Sequence, residues 1–189
     1  MLTFNYDRSF VAFAKCTTPG YEGYLDCAEL AMKSGAPMRR AADWVTVTSF
    51  LGEEPHRFWF RCFEDGEGGQ YYDIQSWSRK TGRDRNPSMH HTAMTNSGYM
   101  ALYDAANALD QLWQVKIFDG EAVHPLPDPL ALGEIASVEI ITPQNASVCL
   151  YKREEVGHLW HCFVANSGGP VLTLTLEIVD LGEELLDDH

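Results

Sequence analysis

The chain has 189 residues, 45% of them apolar and 12% aromatic, which is enough for a real core and excludes a globally disordered protein. Its formal net charge is −13, and that charge is uneven: residues 1–88 carry 12 acids and 11 bases, whereas residues 89–189 carry 15 acids and 3 bases. An acidic half repels phosphate backbones, so direct nucleic-acid binding is excluded as an expectation, and a basic protein surface becomes the natural complement. The length suits a single compact unit over 1–189, divisible into an N-terminal α+β half, 1–88, and an acidic α+β half, 89–189.

The five cysteines, Cys16, Cys27, Cys62, Cys149 and Cys162, are odd in number, widely spaced and free of any CxxC pair. Reduced buried thiols in a cytoplasmic protein are the expectation. The first residues alternate aromatic and charged side chains and do not resemble a signal peptide, and no apolar run approaches the ~20 residues of a membrane helix.

In chain order, residues 3–14 are expected to be a strand. Thr18-Pro19 fits an N-cap and first helical position, so residues 18–33 are expected to be helical, with Leu25, Ala28 and Met32 on one face and Gly35 as the stop. Residues 44–51 and 57–63 alternate and carry β-branched or aromatic side chains, so both are expected to be strands. The EDGEGG run of residues 64–69 is a hairpin loop, with residues 70–77 as the return strand. Residues 78–87 form a basic polar loop. Tyr99, Leu102, Tyr103, Ala106 and Leu109 recur at helical spacing, which predicts a second helix over 96–111. A short strand over 113–118, an extended proline-rich connection over 124–129 and four strands over 134–142, 146–153, 157–165 and 170–180 complete the chain. In the last of these, Leu172, Leu174, Leu176 and Ile178 share one face.

At an offset of 100 residues, Cys62-Phe63 falls on Cys162-Phe163 and Gly68-Gly69 on Gly168-Gly169, each within a strand, hairpin loop, strand pattern. The expected fold class is therefore α+β: antiparallel meanders and hairpins with two main helices, arranged as two similar α-β-β-β halves. Turn chemistry alone also places Gly-Gly in hairpin loops, so the similarity of 45–77 to 145–177 stands beside coincidence.

No phosphate loop, dinucleotide fingerprint, zinc-protease, nucleophile-elbow or EF-hand motif occurs. His158, Trp160 and Cys162 would share one strand face, with Cys149 on the next strand, but burial of both thiols in the core is the plainer reading, and no metal or cofactor is expected. His90 and His91 with Arg79, Lys80, Arg83 and Arg85 form an exposed-looking cationic cluster that suits an anionic group, or simply a solvated loop. Arg57, Trp59 and Arg61 share one strand face and are of the types favoured at binding hot spots, unless that face is covered from within.

These features point to a non-catalytic protein that binds another protein. It would occupy a basic surface, such as that of a nucleic-acid-binding protein or complex, in the manner of immunity proteins, phage anti-defence (anti-CRISPR-like) inhibitors or acidic chaperones. The contact residues expected are Arg57, Trp59, Arg61, Arg79, Lys80, Arg83 and Arg85, together with the terminal acids Glu183, Glu184, Asp187 and Asp188. Two other classes stand beside it: an enzyme or metal-binding protein built from His and Arg residues of distant segments, and a subunit of a larger structural assembly.

Overall fold

A computed structural model describes residues 1–77, 91–103 and 111–182 of the chain. These residues form thirteen β-strands: β1 (Thr3–Cys16), β2 (Gly23–Lys33), β3 (Ala36–Thr48), β4 (Arg57–Glu64), β5 (Gln70–Trp77), β6 (His91–Met94), β7 (Met100–Tyr103), β8 (Gln114–Phe118), β9 (Val123–Pro125), β10 (Gly133–Ile141), β11 (Cys149–Val156), β12 (Leu159–Ala165) and β13 (Thr173–Leu181). There is no α-helix among the described residues, so the expected α+β class with two main helices is wrong: the protein is nearly all β. The expected antiparallel pairing does hold, since every strand pair is antiparallel.

The first helix failed for two local reasons. Residues 23–33 are strand β2, and its register against β3 slips between Asp26 and Ala28. This bulge opposes extra residues on one strand to fewer on the other and breaks the simple period of two. Leu25, Cys27, Ala28 and Leu30 are all buried, so a spacing of three that imitates a helix comes from the bulge. Met32, expected on the same face, is instead exposed. Ser34 and Gly35, at φ 50° and 82°, form the two-residue turn that joins Lys33 to its partner Ala36. Two consecutive residues at positive φ are the signature of a tight hairpin turn, which reads in sequence like a helix stop. Thr18 is no helix cap either: its hydroxyl donates to the Val171 carbonyl and accepts from the Thr173 amide, which pins the β1–β2 turn to β13.

The second expected helix meets a hairpin. Met94 pairs with Met100 across a turn in which the Thr95 hydroxyl accepts the Tyr99 amide and Gly98 sits at φ 84°, leading into β7. The rest of that expected helix, residues 104–110, lies outside the described residues. The hairpin of residues 57–77 is as expected: β4 and β5 pair in unbroken register from Glu64↔Gln70 to Arg57↔Trp77, and the Asp65 carboxylate accepts the amides of Glu67 and Gly69 in the loop. Its supposed counterpart differs. β12 pairs with β11 and β3, whereas β13 pairs with β1 and β10, so the Gly168-Gly169 loop crosses between separate regions of the sheet.

Following the pairings, β1, β2, β3, β7, β6, β5 and β4 close a circuit. β13, β10, β8 and β9 extend outward from β1, and β12 and β11 from β3. One face of this sheet supplies the main core. Phe10, Ala12, Ala14 and Cys16 of β1 meet Phe58, Phe60 and Cys62 of β4, Tyr72 and Ile74 of β5, and Leu172, Leu174, Leu176 and Ile178 at and before β13. Phe10 stacks on Phe60 with ring centroids 4.7 Å apart. Trp113 is fully buried and its indole N–H donates to the Thr92 hydroxyl. The opposite face of β1, β4 and β5 holds a second, smaller layer of Val11, Trp59 and Trp77, with Phe4, Tyr6 and Val179 against it. Among the described residues no helix is long and apolar enough to cross a membrane.

The joint of the circuit is Gly23, which opens β2 opposite Cys16 and where a β-carbon would lie 2.3 Å from the Thr48 carbonyl oxygen of β3. Backbone cannot retreat there as a flexible side-chain end could. Gly23→Ala is therefore expected to cost about 1–3 kcal/mol or more through overpacking, read as a lowered urea midpoint. A midpoint within error of the parent protein would show that β1 and β3 are not held this close by β2.

Candidate functional site

The residues singled out for partner binding are only partly brought together. Arg57 is buried in β4, where its guanidinium lies 2.6 Å from Glu54, 3.8 Å from Asp180 and over the Phe13 ring. Trp59 is 3% exposed and packs edge-on against Trp77. The Arg61 guanidinium lies over the rings of Phe4, Trp59 and Phe63 and 3.7 Å from Asp73. The Arg57–Trp59–Arg61 face is thus largely occupied from within, its cations matched by carboxylates and aromatic faces of the same chain. Arg79, Lys80, Arg83 and Arg85, with His90, and the acids Glu183, Glu184, Asp187 and Asp188 lie outside the described residues.

His91 corrects its expected placement in an exposed cationic cluster. It is buried on β6, with Nδ1 2.8 Å from the Asp73 carboxylate, and that carboxylate also accepts from Gln75 at 2.6 Å. Asp73, Gln75 and His91 are all at most 3% exposed, so this is an internal polar network. His161 is likewise internal: its Nδ1 accepts the Leu30 amide, and Glu154 lies 3.7 Å from Nε2. Cys162 and Trp160 are in the core. Among the described residues, no group of three or more His, Cys, Asp or Glu is placed to hold a metal ion.

All five thiols are free, as the cysteine spacing suggested. Burial pushes the Cys62 thiol up to about 11 and Cys162 up to about 12, and raises Cys27 still further beside the Asp26 charge. Thiolates are the reactive form, so these cysteines are inert as nucleophiles.

Two features do assemble a surface or a site. The first is acidic. Glu134 of β10 stands directly opposite Glu177 of β13 on the outward face, and both are exposed. Neither forms an ion pair among the described residues. Beyond them along the sheet lie Asp119 and Glu121 in the β8–β9 turn, where the amides of Ala122 and Glu121, with His124, hold the Asp119 carboxyl down to about 2. The only bases described in this second half are Lys116, Lys152 and Arg153, and Lys116 pairs across to Glu139.

The second feature lies at one end of the closed circuit. A cavity of about 340 Å³ is lined by Asp26, Arg39, Thr48, Phe50, Glu54, His56, Arg57 and Trp77, among others. Asp26 of β2 receives Arg39 in a two-pronged ion pair, Nε to Oδ2 at 2.7 Å and a terminal nitrogen to Oδ1 at 2.6 Å. His56, in the segment before β4, places Nδ1 3.8 Å from Asp26 Oδ1 and Nε2 2.7 Å from the Ser76 hydroxyl. None of the three stands out in the sequence, where they lie 30 and 20 positions apart with no local motif. Only the meeting of β2, β4 and β5 brings them together.

No protein-family model matches the chain, and no curated protein or solved structure matches it either. The functional argument therefore rests on this geometry.

Two outcomes follow from the buried groups. In native protein at pH 8 only the half-buried Cys149 should react with a thiol reagent on the time scale of minutes, and all five should react after denaturation; fast reaction of two or more native thiols would contradict the packing. Burial also lowers the His161 pKa below its usual 6.5. The neutral ring is favoured by folding, so the unfolded chain binds the proton first, and this stability is present above about pH 6.5 and lost as pH falls below it. His161→Gln should flatten the fall in unfolding free energy between about pH 6.5 and 5; parallel curves for the two proteins would contradict it.

Proposed function

We propose that this is an acidic binding protein that occupies a basic surface of a protein partner, such as the nucleic-acid site of a nuclease or effector complex, and so acts as an inhibitor. The observation that supports it is the Glu134–Glu177 pair. Like charges directly opposite on a sheet destabilise it by about 0.2–1 kcal/mol, and a lysine or arginine arriving from a partner relieves that repulsion. Around the pair, the β8–β9 turn adds further exposed carboxylates, and the long-range field of this half speeds encounter with a cationic partner. Free thiols in all five cysteines suit the reducing cytoplasm, where such a target would be met.

The test couples binding to stability. Glu134→Gln/Glu177→Gln should raise the unfolding free energy of the isolated protein by a few tenths of a kcal/mol to about 1 kcal/mol. The same variant should weaken capture of a basic partner that binds the parent at low salt and is released near about 0.5 M salt, where screening is strong. A partner retained equally by parent and variant, or at both salt concentrations, would overturn the proposal.

A further inference from the structure

Aromatic rings gather where β3, β7, β11 and β12 meet, and the acidic surface does not use them. We propose that Trp44, Tyr99 and Phe163 form an aromatic cage that binds a quaternary ammonium group, the head of a small trimethylammonium compound or of a trimethylated lysine. The proposal goes beyond the partner-binding reading and uses other strands.

Strand register brings the rings to one face. Phe163 of β12 stands opposite Thr46 of β3, and Trp44, two residues before Thr46, lies on the same face one step along. Trp44 in turn stands opposite Ala101 of β7, and Tyr99, two residues before Ala101, bridges to Ala165 at the end of β12. Tyr151 of β11 stands opposite Phe163 and adds a fourth ring at the rim. The pairwise geometry is that of a corner. Trp44 and Tyr99 have ring centroids 5.8 Å apart at 69°, Trp44 and Phe163 6.3 Å apart at 88°, and Tyr99 and Phe163 5.7 Å apart at 81°. Tyr151 is exposed and leans on Tyr99, with centroids 5.7 Å apart. Its ring lies so close to Gly168 that a β-carbon there would come within 2.6 Å of it, which fixes where the rim stands.

The corner is open. Trp44, Tyr99 and Phe163, with Lys152, line a cavity of about 190 Å³. All three rings are half-buried, and Trp44 differs in this from the other four tryptophans, each at most 8% exposed. The space is well below that of a drug-sized site and suits one compact head group.

Three walls at near right angles select a rounded cation. A flat ligand stacks on only one such wall. Each ring carries negative charge on its face, and a group seated in the corner stands about 4 Å from all three centroids, inside the ~6 Å over which the attraction acts. A quaternary ammonium has no N–H, so it needs no acceptor that the walls lack, and it presents methyl groups to apolar rings. Lys152 does not cancel the attraction: its side chain is 62% exposed, and its ammonium lies 3.6 Å from the Glu154 carboxylate. The net charge of −13 draws cations toward the chain as a whole.

The test titrates the full chain with choline and with its neutral carbon isostere, in which a tert-butyl group replaces the trimethylammonium, at constant ionic strength. Calorimetry gives the affinities, and the assigned Trp44 indole N–H resonance reports the place. The expected result is a saturable shift of the Trp44 indole and an affinity for choline about 10-fold or more above that for the isostere, the scale of a desolvated cation–π contact. Phe163→Leu should weaken choline binding by about 3- to 10-fold, with a thermal midpoint to check that it folds. Lys152→Gln should tighten binding, since a like charge leaves the rim. Acetylated trimethyllysine amide, titrated alongside, identifies the source: tighter binding than choline assigns a modified lysine, and weaker binding a free small molecule. Equal affinity for choline and its isostere, a Trp44 shift that does not saturate, or weaker binding in Lys152→Gln would overturn the proposal, and the first two need no variant to fold.

Discussion

The fold depends on β2 being shared. β1 and β3 are the two longest strands besides being distant in the sheet's linear order, and β2 hydrogen-bonds to both. Without that shared strand the order running from β11 to β9 would be an open sheet of great length, with its apolar face only partly covered. With it, seven strands close on themselves and a single apolar interior forms inside them. The closeness this demands is met by Gly23, which lets the Thr48 carbonyl approach where any side chain would intrude. A bulge in β2 and register slips in β1 supply the local bending that a closed sheet needs.

The same bending creates the polar features. A bulge at Asp26 leaves a carboxylate at the end of the core, where Arg39 meets it across the β2–β3 pair and His56 approaches it from the side. On the same strand, the Leu30 amide is accepted by His161 of β12. In β1, the irregularity between Asn5 and Phe10 turns Arg8 toward the 126–128 connection, where it donates to the carbonyls of Leu126 and Pro127 and pairs with Asp128. The irregularities at Asp26 and between Asn5 and Phe10 thus each go with a buried charge that meets its counterpart from another segment. Buried charges are tolerable on this condition, since an unpaired one would cost several kcal/mol.

The charge pattern divides the molecule by role. Among the described residues of the first half, several arginines are matched within the chain: Arg39 by Asp26, Arg40 by Glu29, Arg57 by Glu54 and Asp180, Arg61 by Asp73 and three aromatic rings. In the second half, Glu134 of β10 and Glu177 of β13 face outward with no ion pair among the described residues. Uncompensated like charges side by side weaken the free protein, and that arrangement is understandable where a partner supplies the opposite sign.

The sequence by itself determined the strands whose alternation is regular and whose turns are local. β4, the Asp65–Gly69 loop and β5 were legible because Phe58, Phe60 and Cys62 alternate with Arg57, Trp59 and Arg61, and because an Asx-type turn is encoded within five residues. β13 was legible for the same reason, as were the reduced cysteines and the acidic second half. Tertiary structure decided the rest. β2 imitated a helix because a bulge converts a period of two into an occasional three, and a bulge exists only where a partner strand fixes the register. The pairing of β12 with β3, and of β13 with β1, turned an apparent hairpin repeat into a crossover. Ser76, His56 and Asp26 left no trace in sequence because contact across three strands depends on closure of the sheet, and closure is a property of long-range pairing that no local window of residues contains.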